Sequence, residues 1–213
     1  MPRVKQVALA DATPSAREHY QRLFGDRDPV AEPGTATGTT GDWWTVYANV
    51  PDQLDAMVDL MRTFRAPERV VTARQRELAL VRTGFLVGSK FVYSQHVKAA
   101  RNAGITDEEL ALLRGGWASS DELPAADRAL LAYVDELVRG AGRVSDETFE
   151  AIRAVLGDVG VVELTIIAST YAMQAAMARA LRLEYDDVDE HVVEVPAPSA
   201  SGAAADIISD ITR

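Results

Sequence analysis

Hydroxyl residues stand repeatedly just ahead of apolar runs with helical spacing, and this punctuation commits the chain to helices. Thr72 precedes Gln75 by three positions, the spacing of a reciprocal capping box. Thr106-Asp107-Glu108-Glu109 repeats the cap-plus-acid signature, and Ser145-Asp146-Glu147-Thr148 opens a further segment. The run after Thr72 carries Leu78, Leu80, Val81, Phe85 and Leu86, is apolar around most of its circumference and should be central to a core. Ser89 is placed to cap a helix over 90–102, with Gly104 as its stop. Pro124 to Val138 reads as the next helix, and the Ala-rich stretch from Val159 to Leu183 as a long last one whose small residues permit close packing. The fold class is all-α.

At the N-terminal end, Thr13 to Phe24 predicts a short helix with Pro14 in its first turn. Residues 26–42 contain two Pro, three Gly and four Thr, a composition of loops or a flap. Leu54, Met57, Val58 and Met61 draw an apolar helical stripe. Beyond Glu184 the chain turns acidic, offers one short strand at Val192–Val195 and becomes low-complexity from Pro196 to Ala205. The expected organisation is therefore 1–42 as N-terminal helix and loop, 43–185 as the helical domain, and 186–213 as a loose tail.

Composition removes whole classes of function. The 213 residues carry a formal charge of −10, which argues against a phosphate-tracking nucleic-acid surface or an anionic membrane surface. With no cysteine there is no disulfide, thiolate zinc site, cysteine nucleophile or dithiol redox centre. No leader-like N-terminus and no apolar run of about 18 residues is found, so the default location is cytoplasmic.

The three histidines are the scarcest chemical resource. His19, in a charged early helix, and His191, in the acidic tail, read as surface residues. His96 differs, because Ser89, Val92 and Tyr93 lie seven, four and three residues earlier on one helix face. Glu77 is the single acid of the preceding apolar helix, and an unpaired buried carboxylate is costly. A turn at Gly88 would let Glu77 face His96 as a general acid/base pair; the competing arrangement is an ion pair from Glu77 to Arg74 or Arg82. Trp43, Trp44, Tyr47 and Tyr93 are candidates for a flat aromatic pocket or for plain core, and Arg82 for holding a substrate carboxylate. Tyr171 and Gln174 are polar exceptions in the Ala-rich helix, suited to a cavity or a subunit interface.

The run from Arg74 to Phe85, followed by Gly88-Ser89-Lys90-Phe91-Val92-Tyr93-Ser94-Gln95-His96 and Ala103-Gly104-Ile105-Thr106-Asp107-Glu108-Glu109, closely resembles the carboxymuconolactone decarboxylase and alkylhydroperoxidase D-like (AhpD-like) family. Trp44 to Pro51, Val144 to Phe149 and Val162 to Thr165 extend the likeness over about residues 43–185. The resemblance implies an AhpD-like helical bundle and a homo-oligomer associating through its helices. It also places the two cysteines of the peroxidase branch at Ser89 and Val92, while Glu77 and His96 match the acid and the histidine. Without the thiols, dithiol peroxide reduction is ruled out.

What remains is acid/base chemistry. The expectation is an enzyme needing no metal or organic cofactor, acting on an aromatic, quinone or lactone small molecule. His96 would move a proton, Glu77 would assist, and Tyr93 would donate a hydrogen bond to a developing enolate or phenolate. Trp44, Tyr47, Arg82, Ser89 and Val92 would line the substrate site. The leading version is an addition, coupling or dimerisation step in aromatic polyketide biosynthesis. Lactone decarboxylation in aromatic catabolism and a non-catalytic ligand-binding or scaffold role are the alternatives.

Overall fold

The computed structural model describes residues 1–184; the expected strand at Val192–Val195, the low-complexity tail and His191 lie outside them. Eight α-helices and two short 3-10 turns make up the described residues, with no β-strand among them. They form two compact units, one built from residues 1–66 with 178–184 and one from residues 67–177.

In the first unit, α1 (Pro14–Phe24) packs on α3 (Pro51–Thr63), and the short α2 (Asp42–Tyr47) also lies against α3. Thr13 caps α1 by accepting from the Ala16 amide, and Pro14 occupies its first turn. Tyr20, Leu23, Phe24, Val46, Leu54 and Val58 are buried together in this unit's interior. The segment 26–42 is pinned on both sides. Arg27 donates to the carbonyls of Phe24, Glu32 and Gly34, and the Glu184 carboxylate accepts from the Thr40 hydroxyl and the amides of Gly41 and Trp43. Gly41 takes φ 87° and lies so close to the Phe24 ring that a Cβ would come within 2.7 Å of it. His19 corrects the surface reading. It is 7 % exposed, on the face shared by Ala16, Tyr20 and Leu23, and Asp55 at 2.8 Å from its Nε2 compensates the burial.

The second unit is organised around α4 (Ala73–Leu86), which packs against both α5 (Lys90–Asn102) and α7 (Ala125–Arg139). The Thr72–Gln75 capping box forms as expected. Every residue from Arg76 to Gly84 is buried, and Leu78, Leu80 and Val81 each contribute about 1.5–3 kcal/mol of burial. Gly84 lets the two helices touch. A Cβ there would sit 2.7 Å from the Tyr93 amide nitrogen and 2.9 Å from its Cα, so only glycine permits this α4–α5 approach. Ser89 caps α5 by accepting from the Val92 amide. Thr106 and Glu109 form the second capping box, at the start of α6 (Asp107–Leu112). The last helix, α8 (Asp146–Leu181), is broken at Gly157, whose φ of 65° is non-helical. Glu163 of α8 accepts from the Val70 and Val71 amides, and Arg74 bridges Glu109 and Asp127.

Candidate active site

Because α4 is buried all round, its one acid has no route to water. Glu77 is 2 % exposed. One carboxylate oxygen accepts from Arg76 Nε at 3.0 Å, and the other meets His96 Nδ1 at 2.7 Å. The turn at Gly88 brings α5 back along α4, as the sequence suggested, and His96 is itself 6 % exposed. The ion-pair alternative for Glu77 is realised differently from either expectation. Arg74 is taken by Glu109 and Asp127, Arg82 by Asp135, and it is Arg76 that pairs with Glu77.

This arrangement fixes the chemistry of the imidazole. With Arg76 neutralising it, Glu77 is an acceptor-only carboxylate, so Nδ1 carries the hydrogen between Glu77 and His96. Nε2 is the ring nitrogen that Glu77 does not hold. The ring of Tyr171, on α8, stands edge-on to the imidazole with centroids 4.5 Å apart and planes at 87°. Gln174, one turn further along α8, is buried at 4 % exposure.

Ser89 and Val92 are both buried, at the N-cap and in the first turn of α5, and the Ser89 hydroxyl caps the helix. Tyr93 is half-buried, with its ring tilted against Phe85 at a centroid distance of 6.4 Å. The aromatic ring packed on His96 is thus Tyr171. Arg82 is 3 % exposed. Its guanidinium makes two bonds to Asp135, of 2.5 and 2.6 Å, and one to the Leu113 carbonyl, with the Trp117 ring 5.9 Å away.

Trp44 and Tyr47 belong to the first unit. Trp43 stacks on Tyr47 at 4.3 Å, Trp44 meets Trp43 edge-on, and His19 tilts against Trp44. Burial pushes the Tyr47 phenol up to about 12, so it is a neutral hydroxyl at ordinary pH. Among the described residues no group of three or more His, Asp and Glu side chains is placed to hold a metal ion. No helix among them is long and apolar enough to cross a membrane.

Arg76, which holds the second oxygen of Glu77, had no sequence signal beyond adjacency. The motif itself has a clear counterpart among known proteins. The model of the carboxymuconolactone decarboxylase family matches residues 51–136, a span that includes α4, α5, Glu77 and His96.

Solved structures agree on the fold. A protein of unknown function from Agrobacterium tumefaciens, considered an AhpD antioxidant-defence candidate, is 25 % identical, covers 70 % of this chain and 97 % of its own, and has a TM-score of 0.59. An uncharacterised peroxidase-related AhpD-core protein from Ralstonia eutropha gives 0.64 at 18 % identity, over 85 % of this chain and 90 % of its own. The debrominase Bmp8, solved as a cysteine-to-alanine variant with 2,3,4-tribromopyrrole, gives 0.62 at 14 % identity, over 86 % and 92 %. No curated protein matches the sequence significantly. The cysteine-less chain thus matches the carboxymuconolactone decarboxylase family over residues 51–136 and shares its all-α fold with AhpD-like proteins.

Proposed function

We propose that this chain is an acid/base enzyme acting on a carbonyl-bearing aromatic, quinone or lactone molecule, with His96 Nε2 as the proton-transferring atom. The observation that carries the reading is the buried Arg76–Glu77–His96 relay. It orients the imidazole through Nδ1 and leaves Nε2 basic, the division of labour general acid/base catalysis requires. The family match to a decarboxylase group supports an enzymatic role, and the absence of thiols removes the dithiol alternative.

Two reactions use the same proton. In decarboxylation the C–C bond to the carboxylate breaks, carbon dioxide leaves, the electron pair remains as an enolate, and protonated His96 delivers its proton to that carbon. In an addition step of aromatic polyketide tailoring, His96 removes the proton beside a carbonyl, the enolate carbon attacks the β-carbon of an enone or quinone in a second molecule, the C=C π pair of that acceptor shifts to make a new enolate, and protonated His96 returns its proton there. The tribromopyrrole bound by Bmp8 is a flat aromatic ring, the ligand class proposed here. Tyr93 is the proposed hydrogen-bond donor to the developing enolate, and the ring of Tyr171 packs edge-on against the imidazole.

Incubation with carboxymuconolactone and measurement of released carbon dioxide separates the two. Release assigns decarboxylation, and a clean negative favours tailoring. On whichever substrate turns over, His96→Gln should lower kcat by about 10²- to 10⁴-fold with an unchanged circular dichroism spectrum. Unchanged turnover would refute the assignment.

A further inference from the structure

Between the end of α7 and the start of α8, within the second unit, the chain opens a cleft of about 680 Å³. Asp135, Glu136, Arg139, Arg143 and Ser145 supply its polar lining, and none of them belongs to the Arg76–Glu77–His96 relay. A cleft in the range of about 300–1,000 Å³ suits an organic molecule better than a bare ion.

Its acceptors are already engaged. Both oxygens of Asp135 are held by Arg82, at 2.5 and 2.6 Å. Glu136 accepts from the Thr148 hydroxyl and from the Ser145 amide and hydroxyl, and these bonds hold its carboxyl below the usual range. The last carbonyls of α7 are taken too, Glu136 by the Gly140 amide and Leu137 by the Gly142 amide.

Its donors are not. A guanidinium offers a planar fork of N–H groups and can accept nothing. Among the described residues, Arg139 makes a single contact, 3.9 Å to the Asp135 oxygen that Arg82 already holds at 2.6 Å, and its side chain is 64 % exposed. Arg143 makes one bond, to the Gly140 carbonyl at 3.0 Å. In a chain of net charge −10, this cleft therefore presents two cationic forks whose neighbouring carboxylates have other partners.

We propose that the cleft binds an organic oxyanion, a phosphate monoester or a carboxylate. Arg139 and Arg143 grip its oxygens, while Val144 and the arginine stems receive its organic part. The turn that carries the arginines is preformed. Ala141 is held at φ 50°, a left-handed conformation that a residue with a Cβ adopts at a cost, and the Arg143 amide closes the turn onto the Gly140 carbonyl. Binding then has to order little beyond the two side chains themselves. The site is independent of the reaction proposed above.

The test is calorimetric titration of the full chain at fixed ionic strength with two probes that share a ring, phenyl phosphate and phthalate. The parent should bind at least one of them, one per chain, with a Kd of about 1 mM or tighter. Arg139→Ala and Arg143→Ala should each weaken binding about 10- to 100-fold, the value of a hydrogen bond to a charged group. Arg22→Ala, which removes an exposed arginine of the first unit, should leave it unchanged. Arg139→Lys and Arg143→Lys keep the charge and lose the fork, so they should bind more weakly than the parent with an unchanged circular dichroism spectrum. Tighter binding of phenyl phosphate assigns a phosphate monoester, and tighter binding of phthalate a carboxylate. A parent that binds neither probe, or binding that Arg22→Ala weakens as much as the cleft variants do, overturns the proposal.

Discussion

Replacing Glu77 by Gln is the sharpest probe of the site, because the structure sets both its energetic and its spectroscopic consequence. The carboxylate is 2 % exposed and lies between Arg76, whose side chain is 9 % exposed, and His96, at 7 %. Removing the anion takes from the buried Arg76 cation its carboxylate partner, and breaking a buried pair from one side costs about 3–5 kcal/mol. For a chain of this length each kcal/mol moves the midpoint by about 2–4 °C, so E77Q should melt about 6–20 °C below the parent. The double variant R76M/E77Q removes both charges and leaves apolar volume in place of one of them. It should recover most of the loss, with a coupling energy of about 2 kcal/mol or more in the cycle. The imidazole supplies the second readout. In the parent, ¹⁵N spectra of His96 at neutral pH should show hydrogen on Nδ1 and a bare Nε2, and E77Q should release that preference because an amide can present either a donor or an acceptor. If E77Q melts within about 2 °C of the parent, or the parent carries its hydrogen on Nε2, the relay does not hold the histidine as argued.

Three further outcomes follow from the same structure. Gly84→Ala should destabilise by about 1–3 kcal/mol, because the new methyl meets Tyr93 backbone and not a yielding side chain; a melt at or above the parent's would show that α5 is free to retreat. Arg74→Ala should cost about 2 kcal/mol at neutral pH, discounted for the partial exposure of the pair. The Arg74 hydrogen bond holds the Glu109 carboxyl below the usual range, so this stabilisation is present above the ordinary carboxylate pKa and lost as pH falls through the lowered one; parent and variant curves should converge in acid. Burial pushes the Glu184 carboxyl the other way, so the folded chain takes up that proton first and its stability rises as pH falls from neutral toward the ordinary carboxylate range. The parent should therefore gain on Glu184→Gln over that interval in pH-dependent thermal melts; a difference that is flat, or grows with pH, contradicts the buried-carboxylate account.

What the sequence disclosed, and what it hid, divides along a physical line. Features encoded within one turn of helix were legible. The Thr72–Gln75 and Thr106–Glu109 boxes and the Ser89 cap form as spaced, and α5 spans the anticipated 90–102, because a cap needs only its own next three residues. The Glu77–His96 contact was legible for a related reason, since one acid on an all-apolar helix must find a partner and the next helix offered one histidine.

Partnerships set by tertiary packing were not legible. Arg82 finds Asp135 across 53 positions, and His19 is drawn inward by a helix face whose compensating carboxylate is 36 residues away. Tyr171, singled out only as a polar oddity, reaches His96 across 75 positions of sequence. Arg76 is the instructive exception, because it is adjacent to Glu77 and still escaped. Neighbours on a helix point about 100° apart, so spacing rules discount them. Only burial on every side of α4 forces the long guanidinium to bend back onto the one carboxylate beside it. The same burial that makes α4 the core of its unit therefore makes the relay. A variant that opened α4 to solvent would weaken Arg76–Glu77 before it disturbed any catalytic atom, because a water-exposed pair of this kind contributes little.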